Sequence, residues 1–413
     1  MTLKSRLSAL QQQAGTRIAT APQAEPRATN SIHRRLAHLR PERLYGLPVP
    51  SFDKMSAEEL ARAVNGDFVA EGLIKIEHEV PLSGRIGNIE LSELKEIPLL
   101  PGETKPIPGI YIDTETTGLA GGSGTLAFLI GVAVIHEESI RLTQLLITSF
   151  AAEPALLAEV EKLLPPGHRL VSYNGKSYDL PLLLTRFRMR GLTPSFAERN
   201  HLDLLHPVRR LFAKRWEDCR LATVEKNLLG FHRTDDLPGA EAPEAWFTFL
   251  RAGYGKKLVK VVEHNRQDIL SLAAAHAMLA QAVADPVSHN PDHYGLARWL
   301  SEVNEQNAVA LLRSAMETLC DDSRRLLAHL LRRDGNWDEA VPIWEGLAQQ
   351  GCVDSIERLA KYHEHVSKDL ETAWRYSERL PGSRADNHRR NRLREKLTKN
   401  KPTFQSNVSQ SKG

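Results

Sequence analysis

Two carboxylates separated by one residue follow an apolar run in Tyr111-Ile112-Asp113-Thr114-Glu115-Thr116-Thr117-Gly118-Leu119. On a β-strand successive side chains alternate between faces, so Asp113 and Glu115 project to one side. Held that close, like charges repel, and a divalent cation between them relieves the repulsion; hard oxygens of this kind suit Mg²⁺ or Mn²⁺. Taken alone, an Asp-x-Glu pair is also the ordinary end of a solvated strand. Two further positions bear on the choice. Asp179 follows a strand and the tight Asn174-Gly175 turn, and stands at the mouth of a helix with Pro181 in its first turn; helix capping accounts for it equally well. His264 and Asp268 lie four residues apart on a long helix, one turn from each other on the same face, where a surface pair or a buried hydrogen bond is the plainer use.

The elements that must position these groups read as an α/β sheet of mixed direction. Ile110–Thr114, Thr125–His136 and Arg141–Thr148 are expected as three consecutive strands joined by short loops, an antiparallel meander. Glu153–Leu164 reads as a helix stopped by Pro165-Pro166-Gly167, Arg169–Tyr173 as a strand, and Leu180–Arg190 as a helix. His201–Leu205 is a short strand or turn. Helices near 206–213 and 220–229 and one Ala-rich helix over Lys256–Val283 follow. Strands first, then strands alternating with helices, gives the mixed sheet. Upstream, Ser56 and Glu59 form a capping box for a helix, and Phe68–Val80 and Ile86–Leu91 read as strands of a small α+β extension. Gly122-Ser123-Gly124-Thr125-Leu126-Ala127 matches G-x-G-x-x-A, but a β-branched strand follows it and no acid stands about 20 residues further on, so it reads as a turn between strands and not as a dinucleotide site.

After Pro286 the chain turns wholly helical. Ala308-Val309, Ala340-Val341 and Ala373-Trp374 recur at intervals of 32 and 33, each followed by a bulky residue, Leu312, Trp344 or Tyr376. A period near 34 is that of tetratricopeptide repeats, which dock partners; an ordinary helical bundle is the alternative. The full sequence of 413 residues carries a net charge of +3, unevenly spread. Residues 1–45 hold eight Lys/Arg against two Glu, residues 383–413 nine against two acids, and the body between 37 basic against 47 acidic residues. Basic ends around an acidic body suggest contacts to phosphate, or else solvated arms. Cys219, Cys320 and Cys352 give neither a zinc spacing nor a disulfide framework, which fits a reducing cytoplasm. No apolar run is long enough to span a bilayer, and Met1–Leu7 has no apolar core behind its charges, so no secretory leader is expected.

The joint pattern of Asp113, Glu115, Asp179, His264 and Asp268 resembles the DEDD superfamily of 3′–5′ exonucleases, whose fold is ribonuclease-H-like. The likeness is greatest to the YprB-like ribonuclease-H-like proteins. It runs through Asp113-Thr-Glu-Thr-Thr-Gly-Leu, the Gly-Gly-Ser-Gly-Thr loop, Asn174-Gly-Lys-Ser-Tyr-Asp, Cys219-Arg-Leu and His264-Asn-Arg-Gln-Asp, over roughly residues 108–283. It implies a ribonuclease-H-like mixed sheet flanked by helices and a hydrolase of DNA or RNA. It further implies that Asp113, Glu115, Asp179 and Asp268 hold two divalent cations, Mg²⁺ or Mn²⁺, with His264 as general base or water-positioner. One branch of the superfamily carries Tyr four residues before the last aspartate and the other His five before; here His264 stands four before Asp268.

Thr116, Asn174, Lys176 and Tyr178 are the candidate substrate contacts. Arg186, Arg188, Arg190, Lys256, Lys257 and Lys260 are plausible phosphate contacts or ordinary solvated faces, Tyr178 and Trp216 possible stacking platforms or core residues, and Asp203 a supporting group or a turn cap. The expected organisation is a basic segment 1–47, the extension 48–107, the exonuclease domain 108–283, helical repeats 287–380 and a basic, disordered tail 381–413. Two rivals share these residues: a nuclease-like scaffold that binds nucleic acid and recruits a protein partner through its repeats, and an endonuclease of the ribonuclease H type.

Overall fold

The computed structural model describes residues 54–118, 124–234 and 236–399. The basic segment 1–47, most of the glycine loop and the end of the tail lie outside these residues. Seven strands form one sheet in the order β1-β2-β7-β6-β5-β8-β9. In chain order they are β1 (Gly66–Ala70), β2 (Leu73–Pro81), β5 (Gly109–Thr116), β6 (Ala127–Ile135), β7 (Ser139–Ile147), β8 (Arg169–Ser172) and β9 (His201–Asp203), with β3 (Arg85–Ile86) and β4 (Ile89–Glu90) a separate small pair. β5, β6 and β7 form the antiparallel meander. β8 and β9 run parallel to β5 because helices carry the chain back between them.

The first seven helices are α1 (Ala57–Ala63), α2 (Glu153–Lys162), α3 (Asp179–Met189), α4 (Leu205–Phe212), α5 (Leu221–Val224), α6 (Ala242–Ala252) and α7 (Lys256–Ala284). They cover the sheet with two apolar clusters. One gathers Ile112, Phe128, Leu145, Leu157 and Trp246; the other gathers Tyr111, Leu142, Val208 and Leu272. Neighbours Tyr111 and Ile112 fall in different clusters, as strand alternation requires. The central strands are apolar on both faces because both are covered.

Three expectations about the extension change. Ile86–Leu91 is a hairpin and not one strand: Gly87, at φ +55, turns Ile86 back onto Ile89, and Leu91 opens a 3-10 helix. Phe68–Val80 is not one strand: Gly72, at φ +71, turns the chain so that Ala70 faces Leu73 in a hairpin. Nor is the extension separate from the sheet of the following domain. β2 pairs with β7 from Leu73↔Ile147 to Pro81↔Ser139, and Leu73, Ile74 and Ile76 are fully buried.

Beyond α7 the chain is helical: α8 (Pro286–His289), α9 (His293–Ser301), α10 (Glu305–Ser314), α11 (Asp321–Arg333), α12 (Trp337–Gln349), α13 (Val353–His365), α14 (Leu370–Glu378) and α15 (Arg384–Lys399). Ala308, Leu312, Ala340, Trp344 and Ala373 are fully buried. The tail expected as disordered contains α15, whose basic residues face acids of α13. Arg389 reaches Glu357 at 3.1 Å, and Arg392 and Lys396 both reach Glu364 at 2.7 Å, beside a buried Leu393. Those charges neutralise the protein's own carboxylates. No helix among the described residues is long and apolar enough to cross a membrane.

The contact between α7 and the sheet is the one on which the carboxylates depend. Ala273, Ala274, Ala275 and Ala277 are fully buried, and small side chains let the helix lie close. At Gly131 on β6, an added Cβ would overlap Ile269 Cδ1 and Asn265 Oδ1. Gly131→Ala is therefore expected to lower stability by about 1–3 kcal/mol, the usual cost of overpacking, measured by urea denaturation. Unchanged stability would show that α7 is free to shift.

Candidate active site

β5, β8 and β9 are parallel, and their C-terminal ends lie together, the place where open α/β sheets bind ligands. Asp113 and Glu115 sit near the end of β5. After β8 the chain turns through Asn174, at φ +65, and the turn is held by Asp203 at the end of β9. The Asp203 carboxylate accepts from the backbone N–H of Asn174 at 2.7 Å, Lys176 at 3.0 Å and Leu205 at 3.1 Å. Asp203 is thus the buried staple of the turn, and a carboxylate so used is satisfied. Asp179 opens α3 as its first residue, with Tyr178 in the cap position. Its side chain accepts a hydrogen bond from Thr114 Oγ1 on β5, so it ties the two motifs together and does not cap its own helix.

A cavity of about 570 Å³ is lined by Asp113, Glu115, Thr116, Tyr178, Asp179, His264 and Asp268 among others. The structure thereby gathers the four carboxylates Asp113, Glu115, Asp179 and Asp268, the histidine and two of the four candidate substrate contacts. Asn174 borders an adjoining cavity of about 690 Å³ together with Arg209 and Trp216; Asp113 and Asp268 line both. Lys176 lines neither and is exposed. A larger cavity of about 710 Å³ contains Tyr111, Arg169 and His276 but none of these carboxylates.

Several candidate phosphate contacts have other work. Arg186 and Arg190 bind the buried carboxylate of Glu153, and Lys257 pairs with Glu241 at 2.7 Å. Trp216 stacks flat on Phe212, with ring centroids 4.2 Å apart, and keeps an edge on the adjoining cavity. Tyr178 is 57 % exposed, so its ring is open to stacking.

The electrostatics of the cavity are those of crowded anions. Loss of surrounding water, then repulsion from Asp268, Asp179 and Glu115, raises the Asp113 carboxyl well above the usual range, with the Asn265 hydrogen bond opposing. Desolvation and repulsion from Asp268 and Asp179 push Glu115 up to about 8. Desolvation pushes Asp179 up to about 6 against the hydrogen bond from Thr114. Three of the four carboxylates are turned to a neighbour: Asp113 Oδ2 accepts from Asn265 Nδ2 at 2.7 Å, Asp179 from Thr114, and Asp268 from Arg233. No three acids or histidines among the described residues already converge as a closed cage for an ion. The donor set fits a hard divalent cation nonetheless, because carboxylate oxygens destabilised by mutual repulsion are what such a cation relieves.

Three residues at the site escaped the sequence reading. Asn265 is fully buried, donates to Asp113 and accepts from Gln144 Nε2 at 2.8 Å. Its signal was legible, a polar residue in the apolar stripe Leu258, Val261, Val262, Ile269. Arg233 and Asp236 come from the loop between α5 and α6, which has no periodicity to read; only their charge beside Pro238-Gly239 marks them.

Asp236 Oδ1 lies 2.7 Å from His264 Nδ1, and His264 Nε2 lies 3.5 Å from Asp268 Oδ2. Arg233 Nη1 lies 3.2 Å from the same Nδ1, so Asp236 and Arg233 together hold one edge of the imidazole while Nε2 faces Asp268.

The RNase_H superfamily matches residues 110–279, a span containing all four carboxylates and His264. "Uncharacterized protein YprB" of Bacillus subtilis (strain 168) is 35% identical over 330 residues, covering 73% of this chain and 78% of that protein. Among solved structures, the family B DNA polymerase from the hyperthermophilic archaeon Pyrobaculum calidifontis overlaps 68% of this chain at 13% identity and a TM-score of 0.34, and the chain spans 36% of that polymerase's length. A family match centred on the carboxylate-bearing sheet, and a relative aligned along most of both chains, place this protein in the RNase_H superfamily, as a relative of YprB with that superfamily's nuclease fold.

Proposed function

We propose that the chain is a metal-dependent nuclease that hydrolyses phosphodiester bonds of DNA or RNA, working as a 3′–5′ exonuclease. The observation that carries this reading is the single cavity shared by Asp113, Glu115, Asp179, Asp268 and His264. The exonuclease direction is supported by the likeness of these motifs to the DEDD pattern. Asp113, Glu115, Asp179 and Asp268 would hold two Mg²⁺ or Mn²⁺ ions, which supply positive charge to the phosphate and lower the pKa of the attacking water. His264 Nε2 accepts the proton of that water, and Asp236 stabilises the imidazolium that results. Thr116 and Tyr178 line the wall beside the carboxylates, where a sugar and a stacked base fit. The helices after α7 contribute no residue to either cavity, and we assign them to docking a partner.

One observation favours the second reading, an endonuclease. Asp113 and Asp268 line cavities on two sides, so a strand could continue past them in both directions. Covalently closed single-stranded circles separate the two: an exonuclease leaves them intact while digesting the same sequence with a free 3′ end. Cutting of the circles at a comparable rate selects the endonuclease.

Asp113→Ala or Asp268→Ala is expected to reduce Mn²⁺-dependent digestion of end-labelled DNA and RNA by more than about 100-fold, since cation contributions amount to several kcal/mol. Circular dichroism should show the fold retained. Wild-type rates in a folded Asp113→Ala protein would contradict the assignment.

A second expectation concerns pH. Glu115 moves from its ordinary 4.5 to about 8 in the fold, so the folded state binds more protons than the unfolded state between those values. Stability of the cation-free protein therefore falls as pH rises through this window. In chelator, the urea midpoint of wild type is expected to drop between pH 5 and pH 8 more steeply than that of Glu115→Gln, and Mn²⁺ to restore it most at pH 8. Parallel curves with no response to Mn²⁺ would count against the site.

A further inference from the structure

We propose that Arg233 is a positioning residue of this site, a guanidinium pinned by Glu225 that holds Asp268 and Asp236 where the cation and His264 require them; the proposal rests on the reading of the carboxylates as cation ligands. Glu225 is 2 % exposed and begins a π-helical turn, Glu225–Leu229, a local irregularity that recurs at functional sites. Arg233 Nε donates to Glu225 Oε2 at 2.9 Å, and Nη2 binds Glu225 as well as Asp268 Oδ1. On the other arm, Nη1 lies 3.3 Å from Asp236 Oδ2. One planar fork therefore touches the last carboxylate of the cavity and the carboxylate that orients His264.

Charge alone does not account for this arrangement. Glu225 already neutralises Arg233, so the pair brings little net charge to the cavity. What the guanidinium adds is direction, two donor ends fixed relative to each other by the plane of the group. Asp268 needs such a restraint because it repels Asp113 and Glu115. Released from Arg233, its side chain would rotate away from them toward water, and the set of cation ligands would lose a member. Asp236 would lose a neighbour at the same time, and with it His264 its fixed orientation. Partners of this kind behind metal ligands are commonly worth about 10–100-fold in metal affinity.

The test is Mn²⁺ binding to the full chain, stripped with chelator and titrated by calorimetry, beside thermal unfolding of each protein. Arg233→Lys keeps the positive charge against Glu225 but cannot span both aspartates. The double variant Arg233→Gln, Glu225→Gln removes the pair without leaving a charge buried alone. Both are expected to stay folded and to bind Mn²⁺ at least about tenfold more weakly. If Arg233→Lys binds as wild type does, charge suffices and the positioning role is overturned. Tighter binding by the double variant overturns it too, since Arg233 would then be competing with the cation. Wild-type protein that binds no Mn²⁺ at all would instead overturn the reading of the carboxylates, and this proposal with it.

Discussion

Mutual repulsion among Asp113, Glu115, Asp179 and Asp268 is the constraint around which the rest of the molecule is arranged. Desolvation and the neighbouring acids raise Asp113 and Glu115, and desolvation raises Asp179, a cost the fold must carry. Single hydrogen bonds offset part of it: Asn265 to Asp113, Thr114 to Asp179, Arg233 to Asp268. None brings an unneutralised positive charge, since the guanidinium of Arg233 is already matched by Glu225. A site built this way stays electrostatically unsatisfied, and that imbalance is what the proposed divalent cations would relieve.

The scaffold serves the same end. Gly131 and the alanines of α7 let that helix approach the sheet, which brings Asn265 within reach of Asp113 and places Asp268 and His264 opposite β5. Gln144 on β7 then locks Asn265 through its side chain and holds the helix through the Val262 carbonyl. Asp203 fixes the turn that leads into Asp179. Ion pairs elsewhere, such as Glu153 with Arg186 and Arg190, fasten α2 to α3 and leave the cavity alone.

Much of this was legible in the sequence because local patterns determine it. Apolar runs marked β5, β6, β7 and α7, and it was the resemblance of Asp113, Glu115, Asp179, His264 and Asp268 to a known exonuclease pattern, not any one motif, that implied a common site. What stayed hidden depends on residues distant in the chain. The pairing of β2 with β7 joins strands separated by all of residues 82–138, and no local pattern reports it. The basic run of α15 reads as a solvated arm until Glu357 and Glu364 of α13 are seen opposite it. Arg233 and Asp236 lie on an aperiodic loop, where only three-dimensional proximity shows that they belong with Asp268 and His264.

The central claim is that these carboxylates together hold divalent cations, and anomalous diffraction from crystals soaked in Mn²⁺ tests it most directly. The account predicts an anomalous peak within coordination distance of Asp113 and at least one of Glu115, Asp179 and Asp268. Fully soaked crystals with no peak in that cavity, or with Mn²⁺ bound only elsewhere, would contradict it.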